Sequence, residues 1–122
     1  IMGESYHFSV TFEGWFALPE AQEIIRELMH LVRGVRLGRV IITKLPSGKT
    51  IAPHVDGGAP AEYFTRFQVA LQNLPGCIFK IEDEAVQFAP GEVWRINNRA
   101  LHGVVNNSAD DRIAMVVDIR VE

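Results

Sequence analysis

From about residue 37 to residue 121 the chain is a succession of short β-patterned segments broken by turn signals, and a single helical pattern precedes them. That spacing is the strongest constraint on the fold. Short strands at regular intervals with turn punctuation build a sandwich or a closed roll, whereas a parallel α/β sheet needs a helix after each strand. The strand segments read as Leu37 to Leu45, Ile51 to Asp56, Arg66 to Gln72, Cys77 to Phe88 as a hairpin turning at Glu82-Asp83-Glu84, Glu92 to Asn97, Leu101 to Val105 and Arg112 to Val121. Within two of them the faces separate. Arg66, Gln68 and Ala70 alternate with Phe67, Val69 and Leu71, and Arg112, Ala114 and Val116 share one side. A strand's period of two sends such sets to opposite faces.

The helix is predicted over about 19–33. Pro19 suits the first helical position, Glu20 and Glu23 favour the positive end of the dipole, and Gly34 offers a left-handed stop. Ala21, Ile24, Ile25, Leu28, Leu31 and Val32 recur at three- and four-residue spacing, so one face packs on a core. Trp15 and Phe16 are expected to seat this helix, and Trp94 and Ile96 to pack inside the sandwich. The expectation is one domain over 1–122, a helix on a mainly β sandwich.

Composition limits what such a domain does. Twelve Lys and Arg against fifteen Asp and Glu give a formal charge of −3. A non-specific nucleic-acid binder needs a basic surplus to displace counterions from phosphate, and none is present. No apolar run approaches the ~20 residues that cross a bilayer, and no signal-peptide pattern opens the chain. The chain begins at Ile1 rather than Met, as a trimmed or partial sequence would. Cys77 is the only cysteine, which excludes an intramolecular disulfide and points to a reducing, cytoplasmic setting.

Chemistry concentrates in few residues. His54-Val55-Asp56 places an imidazole and a carboxylate two positions apart, on one face if the segment is a strand. His102 follows 48 residues later on another predicted strand. Two imidazoles and one carboxylate on one side of a metal, with the other side open, are the ligand set of non-haem Fe(II) oxygenases. On these three residues alone, a solvated His–Asp pair with an unrelated histidine is the stronger reading. His7 and His30 are expected to lie outside any ligand set. Cys77 has no adjacent base and reads as structural.

The context of these residues resembles a known family. Leu45-Pro46-Ser47-Gly48-Lys49-Thr50-Ile51-Ala52-Pro53-His54-Val55-Asp56 is similar to the segment before the proximal ligands of the aspartyl/asparaginyl β-hydroxylases, which are 2-oxoglutarate-dependent oxygenases. Arg66-Phe67-Gln68-Val69, Pro90-Gly91-Glu92-Val93-Trp94-Arg95-Ile96-Asn97-Asn98 and Leu101-His102-Gly103-Val104-Val105-Asn106-Asn107-Ser108 follow in the family's order. Arg112 and Met115-Val116-Val117-Asp118-Ile119 complete the likeness, which spans roughly 41–119. The first 35 or so residues match no motif.

The resemblance implies a double-stranded β-helix, a jelly-roll or cupin-like sandwich, with His54, Asp56 and His102 holding Fe(II). It implies that Arg112 grips the far carboxylate of 2-oxoglutarate, a task suited to a guanidinium fork. Arg66 and Gln68 match a family Arg-x-His pair near the metal-bound end of that cosubstrate, with Gln replacing His. Thr43 stands where the family has a hydroxyl that reaches the far carboxylate. Some members lack the carboxylate ligand, whereas Asp56 completes the set here and favours hydroxylation over halogenation. The implied activity is dioxygen-dependent hydroxylation of an amino-acid side chain or small molecule, with release of succinate and CO2. The substrate is then a small molecule or peptide. From the residues themselves, Gly57 to Tyr63 reads as a loop able to shape the substrate entrance, and Asn97, Asn98, Asn106 and Asn107 read as turn and strand-end residues, with substrate contact by Asn97 or Asn98 as the alternative. A non-catalytic or isomerase-type cupin-like binding domain is the alternative, although such sites tend to use a His-x-His pair, absent here.

Overall fold

The computed structural model describes residues 6–9 and 19–122. Trp15 and Phe16, and the side chain of His7, lie outside the described residues. The elements in chain order are β1 (Tyr6–Ser9), α1 (Pro19–Leu31), β2 (Gly34–Leu45), β3 (Thr50–His54), α2 (Ala59–Tyr63), β4 (Thr65–Gln72), β5 (Cys77–Ile81), β6 (Glu84–Val86), β7 (Val93–Ile96), β8 (His102–Asn106) and β9 (Arg112–Val121). A five-stranded sheet in the order β1-β2-β9-β4-β7 faces a four-stranded sheet in the order β3-β8-β5-β6. The strand pairs are antiparallel. The fold is the expected mainly β sandwich with one long helix.

The larger sheet is apolar on its outer face and polar on part of its inner face. On the outer side, Ile25 and Leu28 of α1 pack on Val40, Phe67, Val69, Met115, Val117 and Ile119. On the inner side, Leu45, Ala70, Ile96 and Cys77 join Phe79, Phe88 and Val104 of the roll interior, with Trp94 packed against them. The alternation read in 66–72 and 112–116 therefore divides a helix-facing core from a roll interior.

Three local expectations need correction. The helix stops at Leu31, and the left-handed residue is Arg33 (φ 55°) rather than Gly34. Gly34 is needed for close approach instead, because a Cβ there would lie 2.6 Å from Ile119 Cγ2 and 2.7 Å from Met29 Sδ. The loop predicted for 57–63 contains α2, which Pro60 initiates from the first helical turn, where its missing N–H costs nothing. Finally, β3 ends at His54, so Asp56 lies beyond the strand.

Two irregularities shape the open end of the roll. Between Leu37 and Val40, β2 spends three steps against two on β9, from Ile119 to Val117. This one-residue bulge lets Leu37 join the helix-side core while Arg39 stays on the inner face with Ile41 and Thr43. Between Ile51 and His54, β3 likewise spends three steps against two on β8. That second bulge accommodates Pro53, which cannot donate to a ladder.

Candidate metal centre

The β3 bulge brings His54 directly opposite His102 in the β3–β8 register, so both imidazoles share one face with ring centroids 4.5 Å apart. His54 is exposed, whereas His102 is buried at 5% exposure and stacks on Phe79 at 5.9 Å. Each ring is oriented the same way. Nδ1 of His54 lies 2.9 Å from the carbonyl of Ala52, and Nδ1 of His102 lies 2.8 Å from the carbonyl of Ala100. A carbonyl only accepts, so each Nδ1 carries a proton and Nε2 is the nitrogen left to offer a lone pair to a metal.

Those two Nε2 atoms converge on Asp56. His54 Nε2 is 3.3 Å from Oδ1 and His102 Nε2 is 3.6 Å from Oδ2. One ligand atom from each of the three residues lies within 4.8 Å of the others. Two imidazole lone pairs and a carboxylate this close are held together by a shared cation, either a proton on Nε2 or a metal ion. Ligands about 2.1 Å from a divalent ion, at right angles, stand about 3 Å apart, close to the spacing here. The donor set is nitrogen and oxygen, which suits a divalent first-row metal.

Asp56 is held from outside. Its N–H donates to the carbonyl of Asn98 at 2.9 Å, and Asn98 is buried. Its Oδ2 accepts from Arg66 Nη1 at 3.0 Å. Arg66 in turn donates through Nε and Nη2 to both oxygens of Asp118, at 2.9 and 3.0 Å. The hydrogen bond with Asp118 raises the Arg66 pKa above its ordinary value despite partial burial, with the charges of Asp118 and Asp56 adding to it.

A cavity of about 230 Å³ opens between the sheets, lined by the three ligand candidates and by Thr43, Gln68, Phe79, Arg112 and Arg39 among others. Arg112 is the buried cation of this cavity at 4% exposure. Its Nη2 donates to Gln68 Oε1 at 2.8 Å, and no carboxylate pairs with it among the described residues. Burial pushes its pKa down, an effect only partly offset by Cys77 nearby. Every fully buried side-chain nitrogen and oxygen among the described residues has a partner, so the Arg112 nitrogens without a bond keep some exposure, and Arg112 lines the cavity. Thr43 is buried opposite Ala114, with Oγ1 3.5 Å from its carbonyl.

The structure thus brings His54, Asp56, His102, Arg112, Gln68, Thr43 and Arg66 to one cavity. Two of them already have partners within the protein. Gln68 sits on Arg112, and Arg66 commits three of its five N–H groups to carboxylates. His30 is exposed and apart, and Cys77 is buried with its thiol pKa raised chiefly by that burial. Asn97 caps its own loop through a bond from the Arg99 N–H. Sequence reasoning missed Arg39 and Asp118. Period-two counting back from Thr43 reaches Arg39, and the pairing Arg66↔Asp118 needs the β4–β9 register.

Solved cupin structures share this architecture. The Cupin_2 domain of an XRE family transcriptional regulator from Enterobacter cloacae superposes with a TM-score of 0.60 at 12% identity, covering 97% of each chain. A predicted oxalate decarboxylase from Thermotoga maritima gives 0.54 at 19% identity, covering 79% of this chain and 74% of that one. A cupin domain from Bordetella pertussis gives 0.54 at 16% identity, covering 70% and 84%. At such identities the likeness shows the fold alone: a cupin-like β-sandwich, here with a His–Asp–His group that can hold a metal. No curated protein matches the sequence significantly. The family described as aspartyl/asparaginyl beta-hydroxylase matches residues 15–121, and the chain belongs to that family.

Proposed function

We propose that the chain works as one Fe(II)- and 2-oxoglutarate-dependent dioxygenase domain that hydroxylates an amino-acid side chain or small molecule. The observation that carries this reading is Arg112, a buried cation without an ion-pair partner among the described residues, in the same cavity as His54, Asp56 and His102. A dicarboxylate that chelates a metal at one end needs a cation at the other. Bound iron, 2-oxoglutarate and dioxygen would supply the oxidation, releasing succinate and CO2.

The residues divide the remaining work. His54 and His102 present Nε2 because their Nδ1 protons are tied to carbonyls, and Asp56 adds a charged donor. Arg112 forks onto the far carboxylate, with Gln68 fixing one edge of its guanidinium and Thr43 able to donate a hydroxyl beside it. Ile51, Phe79, Val104 and Val116 wall the cavity and limit water there. The substrate is a small molecule or peptide rather than a nucleic acid. A reducing, cytoplasmic setting suits both ferrous iron and a free thiol.

The test is succinate formation from 2-oxoglutarate with Fe(II) and ascorbate, across a panel of amino acids and peptides, with mass spectrometry of the products. The reading expects succinate together with one substrate gaining a single oxygen. Tight 2-oxoglutarate binding without succinate in any arm would favour the non-catalytic cupin-like reading.

A further inference from the structure

Asp118 lies outside the ligand set and is 3% exposed, and it lines a depression next to the metal-site cavity together with Asp56 and Arg66. Its two oxygens take Nε and Nη2 of Arg66, and the third occupied arm of that guanidinium, Nη1, reaches Asp56 Oδ2. The chain of contacts is therefore carboxylate, guanidinium, carboxylate, and then the two imidazoles. Register makes it rigid, because Arg66 and Asp118 are direct partners across the β4–β9 ladder. Asp56, by contrast, sits beyond the end of β3 on irregular backbone, tied to the frame by the Asn98 carbonyl and by Arg66.

We infer that Asp118 is a positioning residue for the metal site, acting through Arg66 to hold the Asp56 carboxylate against the two imidazoles and to keep its donor strength. This rests on the proposed metal centre. The physics has two parts. Arg66 Nη1 fixes Oδ2, the oxygen that His102 Nε2 approaches at 3.6 Å, and so sets the rotation that turns Oδ1 to His54 Nε2 at 3.3 Å. A guanidinium alone at that distance would compete with a metal cation for the Asp56 charge. Asp118 neutralises the guanidinium, so the arm orients Asp56 without weakening it. Loss of a partner that orients a metal ligand typically lowers metal affinity by 10–100-fold.

The test is calorimetric titration of the purified chain with Mn²⁺, alongside the absorption spectrum of the Co²⁺ form, with circular dichroism checking the fold. D118N leaves an uncompensated cation on Asp56, so Mn²⁺ affinity falls 10–100-fold and the Co²⁺ spectrum changes. The double variant R66Q/D118N carries no net charge at the pair, so it binds Mn²⁺ more tightly than D118N alone. A merely structural role predicts the reverse order, since the double variant loses more contacts. If D118N does not fold, R66K decides: an ammonium cannot span both carboxylates, and its Mn²⁺ affinity also falls at least tenfold. Unchanged Mn²⁺ affinity in the folded variants, with wild type binding normally, overturns the role of Asp118 alone. Absence of Mn²⁺ and Co²⁺ binding in wild type overturns this inference together with the metal centre beneath it.

Discussion

Replacing Arg112 with Met separates the stability of the empty protein from its affinity for cosubstrate. In the empty protein the guanidinium makes one side-chain hydrogen bond, 2.8 Å to Gln68, and has no ion pair among the described residues. A hydrogen bond to a charged group contributes about 1.5–3 kcal/mol, whereas the effective penalty for burying an ion is several kcal/mol. Met fills similar space and removes that penalty, but it strands the Gln68 acceptor at a cost of about 1–3 kcal/mol. The opposing effects nearly cancel, so the variant without ligand melts within a few degrees of wild type, or higher. The loaded proteins differ. Wild type with 2-oxoglutarate at about 100 times its Kd gains about 2.7 kcal/mol, or about 10 °C for a domain of this size. Losing the charged contact weakens binding about 10- to 150-fold, which shrinks the gain at the same concentration below about 1.5 kcal/mol. Thermal melts of both proteins with Mn²⁺, with and without 2-oxoglutarate, read both effects. A variant that loses more than about 3 kcal/mol when empty yet keeps the full ligand shift would make Arg112 a structural residue and refute the reasoning.

Other expectations follow from the same contacts. Gly103→Ala would place a Cβ 2.7 Å from the Ile51 carbonyl and 3.0 Å from Pro53 N, so it should cost about 1–3 kcal/mol in urea unfolding and displace His54 enough to weaken Mn²⁺ binding. Gly34→Ala meets the Ile119 and Met29 side chains at 2.6 and 2.7 Å and should cost a similar ~1–3 kcal/mol while leaving Mn²⁺ affinity unchanged. Cys77 has a raised thiol pKa in the folded state. The unfolded thiol therefore ionises first, and wild type should lose stability relative to Cys77→Ala as pH rises through the ordinary thiol value of 9.0. Thiol labelling of native protein at that pH should be slow and become fast in urea.

The sequence carried the fold wherever periodicity mapped onto one face of one element. The 19–31 stripe, the alternation around Phe67 and the face shared by Arg112 and Val116 each report a layer, and the layers assembled as expected. It was less informative where geometry depends on what comes from elsewhere in the chain. Gly34 is glycine because Ile119 and Met29 approach it, which its own neighbours cannot reveal. His54 and Asp56 share a site, but through a bulge at Pro53 and a carbonyl from Asn98 rather than through plain strand alternation. The meeting of Arg66 with Asp118 depends on the β4–β9 register, and register over 52 residues of separation is invisible to local pattern. Arg39 was within reach of period-two reading, since the bulge that redirects Leu37 leaves the 39–41–43 side intact.

The central claim is that His54, Asp56 and His102 share one divalent ion, and that 2-oxoglutarate binds to that ion and Arg112 together. Anaerobic calorimetric titration of Fe(II) and then 2-oxoglutarate, in wild type and in His102→Gln, tests it most directly. The account predicts one Fe(II) per chain, 2-oxoglutarate binding that requires the metal, and loss of both in the variant. Metal binding undiminished in His102→Gln, or 2-oxoglutarate binding equally well without metal, would contradict it.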